Sequence, residues 1–251
     1  LIVRPEEKSD FDDFNDFIAN ASDEGPEIKI DTDDHATIFY TSGSTGNPKG
    51  VVLTHRGAIS AVFSWLMMEK IGSHVYPEKV AAKKPSSILL LSPLFHVNGS
   101  HPNFLYGIAK GSKITLMYKW DPKQAVDIIE NETITLIRAV PTVISDLVEE
   151  AIAQNKSLSS LETLNAGGAK RPPPNVAREK KALPSTDISS GYGMTETSAG
   201  ATLAYPGANK IGSVGKPFSG TELRIADPDE EGNGEIQFRG CLLYTSDAAD
   251  E

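Results

Sequence analysis

Cysteine is all but missing from this chain. Cys241 is the only one in 251 residues, so no intrachain disulfide can form. That fits a reducing compartment, and a cytoplasmic location is the expectation. No apolar run approaches the ~20 residues a membrane-spanning helix needs. Leu1-Ile2-Val3-Arg4-Pro5 has neither a starting Met nor the apolar core of a signal peptide, and the chain is expected to begin inside a longer protein. Bases are outnumbered, 24 Lys and Arg against 34 Asp and Glu. The imbalance sits in residues 1–35, with twelve acids and three bases, and the remainder is nearly neutral. A nucleic-acid partner is therefore not expected. His35, His55, His74 and His101 lack metal-ligand spacing.

Three nucleotide or nucleophile signatures are missing too. A Walker A loop needs Gly-x-x-x-x-Gly-Lys followed by Ser or Thr. Lys49 is flanked by Pro48 and Gly50, and Gly215-Lys216 is followed by Pro217, with Lys210 where the first glycine belongs. Gly191-Tyr192-Gly193 reaches Glu196 where a dinucleotide fold has its third glycine. No Gly-x-Ser-x-Gly elbow supplies a nucleophile.

What the chain does have is Tyr40-Thr41-Ser42-Gly43-Ser44-Thr45-Gly46-Asn47-Pro48-Lys49-Gly50, between apolar runs at 36–40 and 51–53. Glycine lets backbone N–H groups approach a ligand closely, and clustered N–H groups form an anion-binding concavity. Four hydroxyls add neutral donors and Lys49 adds a compact charge. The pattern reads as a loop that wraps a polyphosphate, with a plain polar hairpin loop as the alternative.

This stretch, continuing through Val51-Val52-Leu53-Thr54-His55, resembles the phosphate-loop signature of the adenylate-forming superfamily. That superfamily includes acyl-CoA and aryl-CoA synthetases, luciferases and peptide-synthetase adenylation domains. Three later stretches extend the resemblance, which covers residues from about 33 to 240. Gly191-Tyr192-Gly193-Met194-Thr195-Glu196-Thr197 resembles the adenine-and-magnesium signature. It implies Tyr192 and Gly193 against the base, Thr195 near the α-phosphate and Glu196 on Mg²⁺. Those roles agree with the chemistry of an exposed aromatic face and a hard carboxylate; an ordinary acid in the first turn of a helix is the alternative for Glu196. Asn165-Ala166-Gly167-Gly168-Ala169 resembles the glycine-rich turn beside the adenine, although Lys170-Arg171 and three prolines then depart from the usual pattern. Pro93-Leu94-Phe95-His96-Val97-Asn98-Gly99 resembles the segment gating the acyl pocket, which implies His96 near the reacting carboxylate; a structural histidine is the alternative.

Gly234-Glu235-Ile236-Gln237-Phe238-Arg239-Gly240 resembles the segment preceding the family's ribose-binding aspartate. The family continues into that aspartate, a hinge and a C-terminal domain with a catalytic lysine, none of which follows here. Residues 241–251 read instead as a translated sequencing-library adapter, and Asp247 is not taken as the ribose ligand. The resemblance implies a parent acyl-CoA synthetase with ATP, Mg²⁺ and coenzyme A, acting on a small-molecule carboxylic acid, expected to be a fatty acid, with this piece alone inactive. A carrier-protein-loading adenylation domain and a nucleotide-binding remnant without turnover are the alternatives. Phe95-His96 and Gly191-Tyr192-Gly193 argue against the first.

Apolar periodicity gives the fold class. A short helix is expected around Phe11, Phe14, Phe17 and Ile18. Ile59, Val62, Phe63, Leu66 and Met67 mark the buried face of a helix capped by Thr54. Strands at 87–91, 113–118, 134–137, 161–164 and 187–190 alternate with helices at 102–109, from Asp121-Pro122, at 142–154 and at 172–183. The pattern is α/β, a parallel sheet with helices on both faces. After Tyr205 short segments at 214–217, 221–225 and 235–238 read as a small antiparallel β subdomain. The expected organisation is an acidic connector over 1–34, an AMP-binding body over 35–205, the β subdomain over 206–240 and the excluded tail at 241–251. In such sheets ligands sit at the carboxyl ends of the strands, so residues 41–50, 165–169 and 191–197 are expected to converge.

Overall fold

The computed structural model describes residues 13–19, 21–42, 47–75, 77, 84–204, 210–241 and 243. The chain divides into two compact units, Leu1–Asp31 and Thr32–Glu251. Within the first, α1 (Phe14–Ile18) is capped by Asp13, whose carboxylate accepts from Asn15 N at 2.8 Å, and buries none of its residues.

The second unit opens with a hairpin of β1 (His35–Thr41) and β2 (Lys49–Thr54), with Thr41 opposite Lys49. Period-2 alternation turns Phe39 and Leu53 inward against Val97. Thr54 caps α2 (His55–Val75), its Oγ1 accepting from Gly57 N at 3.1 Å. The buried face of α2 differs from the expected one. Ala58, Ala61, Val62, Trp65 and Met68 are buried, whereas Ile59, Phe63 and Met67 are exposed, Phe63 at 64%. Two apolar stripes overlap on this helix. The alanines let its backbone approach closely, and Trp65 packs edge-on against Phe218 at 6.0 Å.

Then follow β3 (Ser87–Leu90), a helical run of α3 (Val97–Gly99), a π turn (Ser100–Leu105) and α4 (Tyr106–Lys110), and β4 (Lys113–Leu116). The run ends where expected, at Gly111, in the left-handed conformation (φ 69°). α5 (Pro122–Asn131) starts at its Asp121 cap, whose Oδ1 accepts from Lys123 N and Gln124 N at 2.9 and 3.1 Å. β5 (Leu136–Ala139), α6 (Pro141–Ala153), β6 (Thr163–Ala166), α7 (Pro173–Ala182) and β7 (Asp187–Tyr192) complete the alternation. β8 (Thr202–Leu203), β9 (Lys216–Pro217), β10 (Thr221–Ala226) and β11 (Glu235–Gly240) close it.

The large sheet runs β4-β3-β5-β6-β7-β8-β9. Its first five strands are parallel, and β8 and β9 are antiparallel, so the sheet is mixed. β9, expected in the small subdomain, pairs with β8 at the edge of this sheet; β10 and β11 alone form the two-stranded one. One face of the sheet presents Ile137, Ala139, Leu164, Ala166 and Ile188 to Ile129, Leu147, Val148 and Val176 of α5–α7. The other packs Ile88 and Leu136 against Trp65, Met68, Tyr106 and Phe218.

Two buried polar features stand out. Arg171, just after the glycine-rich turn, forms a salt bridge with Glu179 of α7, both side chains at most 3% exposed. Its Nη1 also donates to Ser189 O of β7 at 2.7 Å. Burial raises the Glu179 carboxyl and lowers the Arg171 guanidinium, each opposed by the partner's charge. His101, in the π turn, is fully buried, edge-on to Phe39 at 5.6 Å, and neither ring nitrogen has a hydrogen-bond partner. Desolvation pushes its pKa down to about 4.

The His101 shift predicts a pH dependence of stability. Between the folded pKa and the usual value near 6.5, only the unfolded chain takes up the proton. Stability is therefore fully present above about pH 6.5 and falls toward pH 4, by on the order of 3 kcal/mol from this residue. Urea unfolding across that range should show a steeper acid loss for the parent than for His101→Phe.

Candidate nucleotide and acid site

A cavity of about 790 Å³ opens where the parallel strands end. Its wall is built from the segments leaving each strand: Leu91 to Pro93 after β3, Val140 after β5, Gly167 and Gly168 after β6, and Tyr192 to Glu196 at the end of β7. Thr41 and Ser42, at the end of β1, close one side.

Most of the expected residues meet here. Thr41, Ser42, His96, Gly167, Gly168, Tyr192, Gly193, Thr195 and Glu196 all line the cavity. Gly43, Ser44, Thr45 and Gly46 lie outside the described residues. Lys49 and Ala169 are not among the lining residues. Lys49 sits at the neck of the loop, exposed and opposite Thr41, whose hydroxyl donates to Lys49 O at 3.5 Å.

Local backbone chemistry fixes each piece. His96 caps α3 and its Nδ1 accepts from Asn98 N at 3.1 Å, so neutral His96 carries its proton on Nε2. Asn98 donates to Ser92 Oγ at 2.8 Å and ties the strand exit to the helical run. Phe95 is 83% exposed beside it. After β7 the chain makes one turn of 3₁₀-helix, Thr195–Thr197, which leaves Glu196 exposed. Ser198 and Ala199 then take positive φ, 52° and 76°. Such strain in non-glycine residues persists only where packing enforces it. Gly193 leaves room for the chain to return this closely: a Cβ there would lie 2.3 Å from Ala199 O. The Tyr192 ring stacks on Phe238 of β11, centroids 5.9 Å apart and planes at 24°.

Sequence reasoning missed Arg138 and Trp65, which also line the cavity. Asn165 and Asn98 lie within the glycine-rich and 93–99 motifs, but their sequence context assigns them no role. Arg138 is the only Lys or Arg among the described lining residues. The available signal was a lone arginine inside the apolar stretch of residues 134–140.

Strand ends, a glycine-rich turn and an aromatic platform around one cavity define an adenylate-forming N-terminal domain. The chain belongs to the AMP-binding enzyme family, whose model matches residues 3–245. It is 31% identical over 240 residues to 4-coumarate:CoA ligase 1 of Petunia hybrida, covering 89% of this chain and 42% of that protein. With 4-coumarate-CoA ligase 1 of Narcissus pseudonarcissus it shares 32% over 230 residues, 86% of this chain and 40% of the relative. The chain thus spans less than half the length of these relatives. Among solved structures, O-succinylbenzoate coenzyme A synthetase of Bacillus subtilis, in complex with ATP and magnesium ion, superposes with a TM-score of 0.73 at 26% identity, over 93% of this chain and 47% of that one. The N-terminal domain of FACL13 from Mycobacterium tuberculosis shares the fold, with a TM-score of 0.72 at 22% identity over 92% of this chain and 57% of that one.

The two glycines of the wall should respond differently to alanine. Gly193→Ala forces its Cβ into the 199 carbonyl and should cost about 1–3 kcal/mol. Gly167→Ala meets nothing closer than 3.9 Å and has no positive φ. It should stay within about 0.5 kcal/mol of the parent. Urea midpoints of the two variants test the contrast.

Proposed function

We propose that the protein carrying this chain activates a carboxylic acid with ATP and passes it to coenzyme A. The observation that carries the reading is the convergence of Thr41-Ser42, His96, the glycine-rich turn and Tyr192 to Glu196 on one cavity, from separate elements. The family supports it. In the first step the acid's carboxylate oxygen attacks the α-phosphorus of ATP, and the bond to pyrophosphate breaks. In the second the thiol sulfur of coenzyme A attacks the acyl carbon, AMP leaves with the bonding pair, and the thiol proton goes to solvent. Neither step needs a protein nucleophile, so the task of the site is orientation and charge handling.

The proposed roles rest on the resemblance to the family's motifs, supported by position for those residues that line the cavity. The exposed face of Tyr192 and the backbone of Gly167, Gly168 and Ala169 hold the adenine, with Gly193 allowing the turn beneath it. Residues 41–46 and Lys49 hold the β- and γ-phosphates, and the Thr195 hydroxyl donates to the α-phosphate. His96 Nε2–H faces the reacting carboxylate. Mg²⁺ takes one or two carboxylates, with water and phosphate completing its shell. Glu196 fits that requirement: it lines the cavity, is exposed, and among the described residues its carboxylate has no hydrogen-bond or ion-pair partner. When bound, the ion neutralises phosphate oxygens. The resemblance alone points to a fatty acid as the carboxylic acid. The absence of a described helix long and apolar enough to cross a membrane is compatible with the proposed cytoplasmic site.

In the full-length enzyme Lys49→Ala should slow acid-dependent pyrophosphate–ATP exchange about 10- to 100-fold, the worth of a charged hydrogen bond. Unchanged exchange would remove Lys49 from the phosphate site. Glu196→Gln keeps the size and loses the charge. It should raise the Mg²⁺ concentration for half-maximal exchange severalfold, and an unmoved titration curve would return Glu196 to the status of a helix-terminus acid.

A further inference from the structure

We infer that Arg138 selects the acid, and that the preferred acid carries a second carboxylate at the end remote from the one that reacts. The inference rests on the ligase reading above and narrows its substrate class.

In the register of the parallel strands Arg138 lies opposite Asn165, and Asn165 opposite Ser189. Alternation puts all three on the face of the sheet that carries Leu136, away from α5–α7. Arg138 and Asn165 stand two residues before Val140 and Gly167 of the cavity wall, so they lie deeper than the segments assigned to the nucleotide by about two 3.3 Å strand steps. A second cavity, of about 240 Å³, lies against the same face; Trp65, Arg138, Asn165 and Leu203 line both. These four residues form the floor of the larger cavity.

Arg138 is held in place from below. Its guanidinium lies over the Tyr106 ring, 4.4 Å from the centroid, and Nη1 donates to Pro102 O. Tyr106 is fixed in turn: its hydroxyl donates to Glu69 Oε2 at 2.6 Å, and Lys110 bridges the same carboxylate. Asn165 donates to Ser189 Oγ at 2.9 Å, which sets its amide. Among the described residues no carboxylate pairs with Arg138, and the Pro102 contact uses one of its five N–H donors. The result is a half-buried, pre-oriented guanidinium with four of its five donors unspent, in a larger cavity whose only described lining carboxylate is Glu196, while the second cavity behind it also carries Glu69, Glu162 and Asp187.

A methyl-ended chain reaching this floor would strip water from the guanidinium and give nothing back, which costs the desolvation of a charged donor. A carboxylate restores the lost bonds in the planar two-pronged geometry that arginine matches and lysine does not. The triphosphate is the competing anion, but of its proposed holders Thr41, Ser42 and Thr195 line the cavity outside this floor, and Lys49 is not among the lining residues.

The test uses the full-length enzyme and acid-dependent pyrophosphate–ATP exchange. Dicarboxylic acids are compared with methyl-ended acids of matched chain length, for example hexanedioate with hexanoate, over a ladder of lengths. The parent should favour the dicarboxylate at the best length by at least about 10-fold in kcat/KM, the range of a charged hydrogen bond. Arg138→Met should lower that value about 10- to 100-fold and leave the methyl-ended acid unchanged or improved, with KM for ATP unmoved. Arg138→Lys should fall between. If Arg138→Met does not fold, the parent's own acid preference and the Arg138→Lys variant still decide. A parent that prefers methyl-ended acids at every length overturns the inference. So does a variant that weakens both acids equally, or one that raises only KM for ATP. Exchange with none of the acids overturns the ligase reading, and this inference with it.

Discussion

Because β3, β5, β6 and β7 run parallel and side by side, the segments that leave them must emerge along one edge of the sheet. That constraint builds the cavity. It gathers residues as distant as Leu91 and Glu196 without any one element carrying the site. The antiparallel turn of β8 against β7 then folds the 193–199 segment back over the strand ends. The close approach of Gly193 to Ala199 follows from that reversal, and with it the exposed placement of Glu196.

Two arginines on this scaffold show how the surroundings of a charge decide its use. Arg171 is buried and paired: Glu179 and the Ser189 carbonyl hold it, although its Nε has no hydrogen-bond partner among the described residues, and it ties the segment after the glycine-rich turn to α7 and β7. Removing one partner of such a pair leaves a buried charge uncompensated, which typically costs about 3–5 kcal/mol. Arg138 lies within β5, half-buried, braced by an aromatic face and one carbonyl. The first is structural by its burial and ion pair, the second available because no carboxylate among the described residues pairs with it.

Much of the fold could be read from the chain because local chemistry and the tertiary answer agree. Asp121-Pro122 starts a helix and Gly111 ends one for reasons contained within a turn of sequence. The continuous apolar strands announced a parallel sheet, and the glycine, hydroxyl and aromatic stretches were expected along its edge, where Thr41, Ser42, Gly167, Gly168 and Tyr192 to Glu196 line the cavity. The failures share another cause. On α2 two apolar stripes compete, and only the partners across the core, Tyr106 and Phe218, choose Trp65 and Met68 over Phe63 and Met67. Lys216-Pro217 looks the same whether it pairs within a hairpin or at the edge of the large sheet. Arg138 was hidden by its setting, since a single charge inside an apolar strand gives no hint of which face it takes until the neighbouring strands are in register.

The stack of Tyr192 on Phe238 joins the end of β7 to β11, parts of the chain that otherwise belong to different sheets. An aromatic pair of this kind contributes about 0.5–1.5 kcal/mol beyond the area it buries, enough to bias an orientation but not to lock one. The β10–β11 hairpin therefore backs one face of a ring that lines the cavity, so the angle of that aromatic surface is set partly by a strand outside the large sheet.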